Sequence, residues 1–214
     1  MQKAPGEVSL GTTIFACIYK DGVLLAADSR SSAGSYVANR YANKITKIND
    51  HIFTCRSGSS ADTQALTDAL TMYMDHLTIE SGKPVSVRAA ASVLSKVAYN
   101  NREHMSAGLI CAGIDETGPH VYSVPVGGNL IEQAYTIGGS GSVFIYGLCN
   151  EHYRPDFTKE EAMKFARMAV SHAIHMDGSS GGIIRMVAIS QDESGRVISE
   201  RYALHPEEHH SIVW

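Results

Sequence analysis

The chemistry of this chain can be sought first at the junction of Gly11 and Thr12. If the peptide bond between them is cut, Thr12 gains a free α-amine beside its own hydroxyl, so that a nucleophile and a base share one residue. In the uncut chain the Thr12 nitrogen is an amide, which is no base. The cut itself needs the Thr12 hydroxyl to attack the preceding carbonyl, and Gly11 suits that step because it carries no side chain. Residues 1–11, MQKAPGEVSLG, lack the apolar stretch of a secretory signal and read as a leader removed on maturation, with 12–214 as one domain. The plainer alternative is an ordinary disordered terminus.

Magnitudes decide which amine acts as base. An α-amine titrates near ~8 and is roughly one-tenth neutral at neutral pH, whereas a lysine near ~10.4 is neutral in about one molecule in a few thousand. Lys44 would have to drop by about three units to compete. Kept charged, it lowers the amine's pKa and favours the alkoxide developing on Thr12, and this is the preferred role. A buried ammonium needs a partner. Asp28 ends an otherwise apolar run at Asp28-Ser29-Arg30 and is the choice; a turn aspartate at a strand end is the ordinary alternative, and spacing leaves both open.

Arg56-Ser57-Gly58 adds a second constellation. Residues two apart in a strand face the same way, so Arg56 and Gly58 share a face. Gly58 can bring its N–H close to a reacting carbonyl as an oxyanion donor. Arg56 beside it would favour a carboxylate, by up to about 4 kcal/mol at contact in a semi-polar site. An edge arginine in a surface ion pair is the commoner reading. The loops Gly138-Gly139-Ser140-Gly141 and Asp177-Gly178-Ser179-Ser180-Gly181 match neither GxxxxGK[ST] nor GxSxG, which speaks against a nucleotide-binding module and a nucleophile elbow. They are ordinary turn glycines, or else Ser140, Asp177 and Ser180 hydrogen-bond the new N-terminus and orient it.

These residues need a frame. Residues 12–19 and 23–28 read as strands joined by Lys20-Asp21-Gly22, and 44–48 and 52–56 as a second pair, so four strands precede any helix. Helices are predicted over 60–80, with Ala65, Leu66, Ala69, Leu70, Tyr73 and Leu77 as the apolar stripe, and over 86–104. Strands follow at 108–114, 120–124 and 130–137, then helices near 142–152 and 158–177, the latter opened by a capping box at Thr158. Strands at 183–189 and 197–204 close the chain, ahead of a polar tail at 206–210. The order is not the alternation of a parallel sheet. It predicts an α+β fold: two antiparallel sheets packed together with a helix pair on each outer face.

Composition sets the bounds. With 214 residues, 44% hydrophobic and 19% charged, the chain can bury a sizeable core. A net charge of -4 argues against nucleic acid and against an acidic lipid surface as partners. There is no uninterrupted apolar run long enough to span a bilayer, about 18 residues. Cys17, Cys55, Cys111 and Cys149 form no CxxC pair and read as small buried hydrophobes in a reducing compartment. His172 and His175, three apart on a predicted helix, are the weak candidates for a metal; no metal or other cofactor is expected.

Taken together, GTTI at 11–14, LLAADSR at 24–30, Asn43-Lys44, CRSGSSADTQA at 55–65, GGSGS at 138–142 and DGSSGG at 177–182 resemble the β-subunits of the proteasome core particle, members of the N-terminal-nucleophile hydrolases. The resemblance runs from Gly11 to about Leu204 and is strongest to the branch that cuts after acidic residues. It implies a four-layer αββα sandwich and a threonine endopeptidase working through an acyl-enzyme. By position it implies Thr12 as nucleophile, Asp28 and Lys44 as its charged support, Ser140, Asp177 and Ser180 ordering the terminus, and the Gly58 amide as oxyanion donor. Arg56 matches the basic residue of an acid-selective pocket, and Ser31, Ala42, Thr46, Ser60 and Gln64 match other pocket positions. It further implies stacked rings of α- and β-subunits, regulatory caps, unfolded polypeptide substrates, and a location in cytoplasm and nucleus. Ser31-Ser32-Ala33 departs from a threonine-rich stretch of that branch, and the leader is shorter than many. The competing expectation is a non-catalytic structural subunit of the same rings.

Overall fold

The computed structural model describes residues 11–34 and 36–207; the expected leader over 1–10 and the end of the polar tail, 208–214, lie outside them. The chain runs through β1 (Ile14–Tyr19), β2 (Gly22–Ala27), β3 (Ser31–Ala33), β4 (Tyr36–Asn39), β5 (Ile45–Lys47), β6 (Ile52–Gly58), α1 (Ser60–Ser81) and α2 (Val87–Asn100). It continues through β7 (Ala107–Asp115), β8 (Gly118–Val124), β9 (Ile131–Glu132), β10 (Tyr135–Gly138), a 3-10 turn (Ser140–Phe144), α3 (Tyr146–His152), α4 (Lys159–Met176), β11 (Ile184–Gln191) and β12 (Val197–Leu204). One five-stranded sheet has the order β10-β1-β2-β11-β12 and the other β5-β6-β7-β8-β9, and all their pairings are antiparallel.

The apolar runs explain the layering. Every residue of β2, GVLLAA, is buried. Leu24 and Ala26 face the helical layer with Phe15, Phe165 and Val170, whereas Val23, Leu25 and Ala27 face the opposite sheet with Ile110, Ala112 and Phe53. A strand covered on both faces has no polar side to alternate with. The second sheet repeats the pattern: Leu109 and Cys111 of β7 pack under α1 and α2, and Ile110 and Ala112 between the sheets. The result is the predicted αββα sandwich. The capping box at Thr158 forms, with Glu161 returning a hydrogen bond to the Thr158 N–H.

Four local expectations need correction. Among the described residues six strands, not four, precede the first helix, because β3 and β4 form a separate small hairpin too polar to read as strand. The strand expected over 130–137 is two pieces. β9 pairs with β8, β10 pairs with β1, and the chain changes sheets between Gln133 N–H (to Val121 O, 3.0 Å) and Ala134 O (from Ile18 N, 2.8 Å). No glycine, proline, asparagine or aspartate marks this change; the chain bends at Ala134. Along α1 the buried face is Thr63, Leu66, Thr67, Leu70 and Met74, and Ala65, Ala69 and Tyr73 are exposed. Thr63 and Thr67 can be buried because their hydroxyls donate to the carbonyls of Ser59 (2.8 Å) and Thr63 (3.0 Å). Finally, α2 stops at Asn100 rather than 104, where the Asn101 side chain donates to Val97 O (2.8 Å).

The antiparallel pairings bring distant segments to one end of the sandwich. Ile14 opposes both Ala27 and Gly138, and Arg185 opposes Ala27. The start of β1, the end of β2, the end of β10 and the start of β11 therefore meet. The start of β5 and the end of β6 share an end of their own sheet, with Arg56 N–H bonded to Lys44 O (2.9 Å).

Candidate active site

Thr12 precedes β1 and is almost completely buried, as are Asp28 after β2 and Lys44 before β5. The Lys44 ammonium donates to Asp28 Oδ1 (2.6 Å), Thr12 Oγ1 (3.0 Å) and Gly11 O (3.3 Å). Three acceptors match the three hydrogens of an ammonium, one more than a neutral amine carries. Burial pulls the Lys44 pKa below the usual lysine range, and the Asp28 carboxylate opposes that pull. Asp28 is held by main-chain donors: Thr13 N–H to Oδ1 (2.9 Å), and Arg30 N–H (3.1 Å) and Gly181 N–H (3.0 Å) to Oδ2. The Thr12 hydroxyl donates to Gly11 O (2.6 Å), so nucleophile and target carbonyl of the expected cut are in contact, with one cation touching both oxygens.

A second network lies on the nitrogen side of Thr12. Its N–H donates to Ser140 Oγ (3.1 Å), and Ser140 and Ser180 both donate to Asp177 Oδ2 (2.7 Å each). Burial works to raise the Asp177 pKa, but the two hydroxyls, the Ser179 N–H and the Lys44 charge outweigh it and hold the carboxyl below its usual range. The loop from Asp177 is also tied to Arg30, whose guanidinium donates to Gly178 O (2.8 Å).

Gly11 sits tightly in this frame. A Cβ there would stand 1.8 Å from Ser179 Cβ and 2.5 Å from Ser179 backbone carbon and oxygen. Gly11→Ala is therefore expected to displace the junction and, if the expected cut occurs there, to slow it by about tenfold or more, since overpacking typically costs about 1–3 kcal/mol; the intact mass of the chain over time measures it.

Gly58 closes β6 at φ +99°, where a side chain is strained, and a Cβ would come 2.2 Å from Ser106 O. Its N–H alternates with those of Ser57 and Ser59. The Ser59 N–H bonds Ser106 O (2.8 Å), so that of Gly58 points the other way, toward the Lys44 side. A cleft of about 50 Å³ opens there, walled by Thr12, Arg30, Ser31, Ala42, Lys44, Arg56, Gly58 and Ser60, with Gly11, Asn43 and Thr63 completing it. Thr46 and Gln64 are not among its walls. Gln64 is exposed, one turn, about 6 Å, beyond Ser60 along α1. Arg30, Asn43 and Thr63 are the wall residues that the sequence reading does not name as site residues; Thr63 lies three after Ser60 on one helix face, and that spacing is the available signal. The Arg56 guanidinium donates to Asn43 O (2.9 Å), and its Nε is buried with no hydrogen-bond partner among the described residues. Burial lowers the Arg56 pKa, and Asp68 opposes it. Gly58 and Ser140 also border a larger cleft of about 920 Å³ on the other side, floored by β7, β8 and β10.

Other nucleophiles are out of play. All four cysteines are free and buried, and desolvation raises their pKa values, to about 12 for Cys111 and Cys149. Among the described residues no group of three or more His, Cys, Asp and Glu could hold a metal, and no helix is long and apolar enough to cross a membrane. His175 hydrogen-bonds Glu207 O (2.8 Å).

A buried threonine at the head of a strand, an Asp–Lys pair on its hydroxyl and a Ser–Asp–Ser set behind its nitrogen, in a sandwich of this layering, define a class. The family described as proteasome subunit matches residues 8–189, and the chain belongs to it. Within that family it is similar to β-subunits of the core particle, which places it in an assembly with other proteasome subunits. It is 52% identical over 188 residues to the probable proteasome subunit beta type-1 of Schizosaccharomyces pombe, covering 87% of this chain and 83% of that one. It is 46% identical over 194 residues, 90% of each chain, to proteasome subunit beta type-1 of Saccharomyces cerevisiae. To proteasome subunit beta type-6 of Arabidopsis thaliana it is 44% identical over 185 residues, 86% of this chain and 79% of that one.

Proposed function

We propose that this subunit is catalytic: a threonine endopeptidase that frees its own nucleophile at Gly11–Thr12 and then cleaves polypeptides after acidic residues. The observation that carries the reading is the Lys44 ammonium, which touches Thr12 Oγ1, Asp28 and Gly11 O at once. In self-cleavage the Thr12 hydroxyl oxygen bonds to the Gly11 carbonyl carbon. The Gly11–Thr12 C–N bond breaks, the nitrogen takes a proton, and water hydrolyses the resulting ester, leaving residues 1–11 as a leader and 12–214 as the mature domain. In the mature chain the Thr12 amine removes the hydroxyl proton, and Lys44 stabilises the developing oxygen charge. The substrate carbonyl oxygen is received by the Gly58 N–H. The leaving amine takes the proton back, and water then releases the acyl-enzyme with the same amine as base. No step calls on a metal or a nucleotide.

The acyl-side residue lies in the cleft under Arg56, and the departing segment lies toward the larger cleft across Gly58. The half-buried Arg56 guanidinium, which borders the cleft, favours a carboxylate there. Arg56→Ala is expected to lower cleavage of Glu-ending peptide reporters by about 10- to 100-fold, the worth of one or two charge-assisted hydrogen bonds, without lowering that of Leu-ending ones. Unchanged Glu-ending cleavage would remove the pocket assignment. Unfolded polypeptides as substrates, regulatory caps as partners, and a location in cytoplasm and nucleus belong to the same reading. The direct test is the intact mass of the chain from the assembled particle. Loss of residues 1–11 supports the enzyme; an active particle that retains them makes this chain a structural subunit.

A further inference from the structure

We infer that Thr13 is a positioning residue whose hydroxyl heads one of two donor chains that converge on Asp177, the other starting at the Thr12 nitrogen. The inference rests on the reading of Thr12 as nucleophile. Thr13 is fully buried, and its hydroxyl lies 2.8 Å from Ser180 Oγ. The direction of each bond follows from counting hydrogens. A carboxylate only accepts, so Ser140 and Ser180 each give their single hydroxyl hydrogen to Asp177 Oδ2, at 2.7 Å. Neither has a hydrogen left for another partner. Ser180 Oγ must accept from Thr13, and Ser140 Oγ must accept from Thr12 N–H at 3.1 Å.

The space for this hydroxyl is kept open. A Cβ on Gly141 would come within 2.0 Å of Thr13 Oγ1. The main chain of Thr13 serves the other network, since its N–H donates to the Asp28 oxygen that also receives Lys44. Thr13 thus touches both charged systems while touching no substrate atom. Once the leader is gone, Ser140 holds one N–H of the new amine and leaves its lone pair to take the Thr12 hydroxyl proton. Without the Thr13 hydroxyl, Ser180 Oγ loses its donor in a site that is 1% exposed, and it can turn away from Asp177. Asp177 then stands near the amine with one donor fewer. The charged group that acts on it is Lys44, which itself faces Asp28 and Arg30. A less neutralised carboxylate favours the protonated amine.

The test uses the assembled particle, with Thr12 exposed by removal of a cleavable fusion so that self-cleavage does not enter. Thr13→Val keeps the shape and removes the hydroxyl. Its kcat is expected to fall about tenfold, the usual worth of one buried hydrogen bond, with KM within about twofold. The acid limb of the kcat/KM profile moves up by about half a pH unit, a displacement that loose packing alone would not cause. Thr13→Ser restores both. In a Ser180→Ala background Thr13→Val adds no further loss, because the route runs through Ser180. Wild-type kcat and pH profile in Thr13→Val, or losses that multiply in the double variant, overturn the inference. Thr12→Ala in the same particle keeps the two readings apart: activity surviving there removes the nucleophile, whereas an inactive Thr12→Ala beside an unaffected Thr13→Val removes the positioning role alone.

Discussion

Thr12→Ala is expected to abolish peptide cleavage by this subunit, by at least about 10³-fold in kcat, and to leave the leader attached. Both losses have one origin. The Thr12 hydroxyl donates to Gly11 O at 2.6 Å and receives Lys44 Nζ at 3.0 Å, which makes it the hydroxyl in contact with that carbonyl. The buried cysteines are protonated, and Ser140 and Ser180 are committed to Asp177. Exposing the alanine N-terminus artificially would supply the amine without the hydroxyl, so activity should stay absent. Thr12→Ser, which keeps the hydroxyl, should retain both self-cleavage and turnover. Reporter hydrolysis and intact mass, read on the same particle preparation, check the set. Wild-type turnover in Thr12→Ala would end the enzyme reading.

Lys44→Met should be nearly as severe and should also weaken the fold. Asp28 has no exposed surface, so removing its cation leaves a buried carboxylate facing only main-chain donors. Breaking such a pair typically costs about 3–5 kcal/mol. The three N–H groups on Asp28 soften that, which places the expected loss at the lower end, about 3 kcal/mol, in urea denaturation of the chain. Activity should fall by about 10³-fold because the alkoxide on Thr12 loses the cation that touches its oxygen. A cycle with Asp28→Asn should show coupling of about 1–3 kcal/mol in stability. Methionine fills the space of lysine, so a packing effect alone would spare the chemistry. Turnover within about tenfold of wild type in Lys44→Met would show that the ammonium has no electrostatic part in the reaction.

Much of the candidate site is legible in the sequence. Gly11-Thr12, Asp28, Lys44 and Arg56-Ser57-Gly58 each stand at the edge of an apolar run, where a polar residue needs a reason. The pocket is less so. Thr63 is hard to read from the sequence because a buried threonine in a helix looks polar in a periodicity count, although its hydroxyl is satisfied by Ser59 O. Gln64 matches by motif position, but it follows Thr63 by about 100° around α1 and is exposed, outside the cleft wall.

The sequence by itself determined which segments are strands buried on both faces. GVLLAA has no polar alternation to expose, and such a run is stable only between two apolar layers. It also determined the cap that starts α4 and the turn between β1 and β2. Tertiary structure alone decided that β10 lies beside β1, because strand partners far apart in sequence are chosen by global packing and not by local pattern. That one pairing brings Ser140 to Thr12 across 128 residues, and the β2–β11 pairing brings Gly181 to Asp28 across 153. The hydroxyl and its nitrogen belong to one residue, but the groups that hold and charge them meet only when both sheets close.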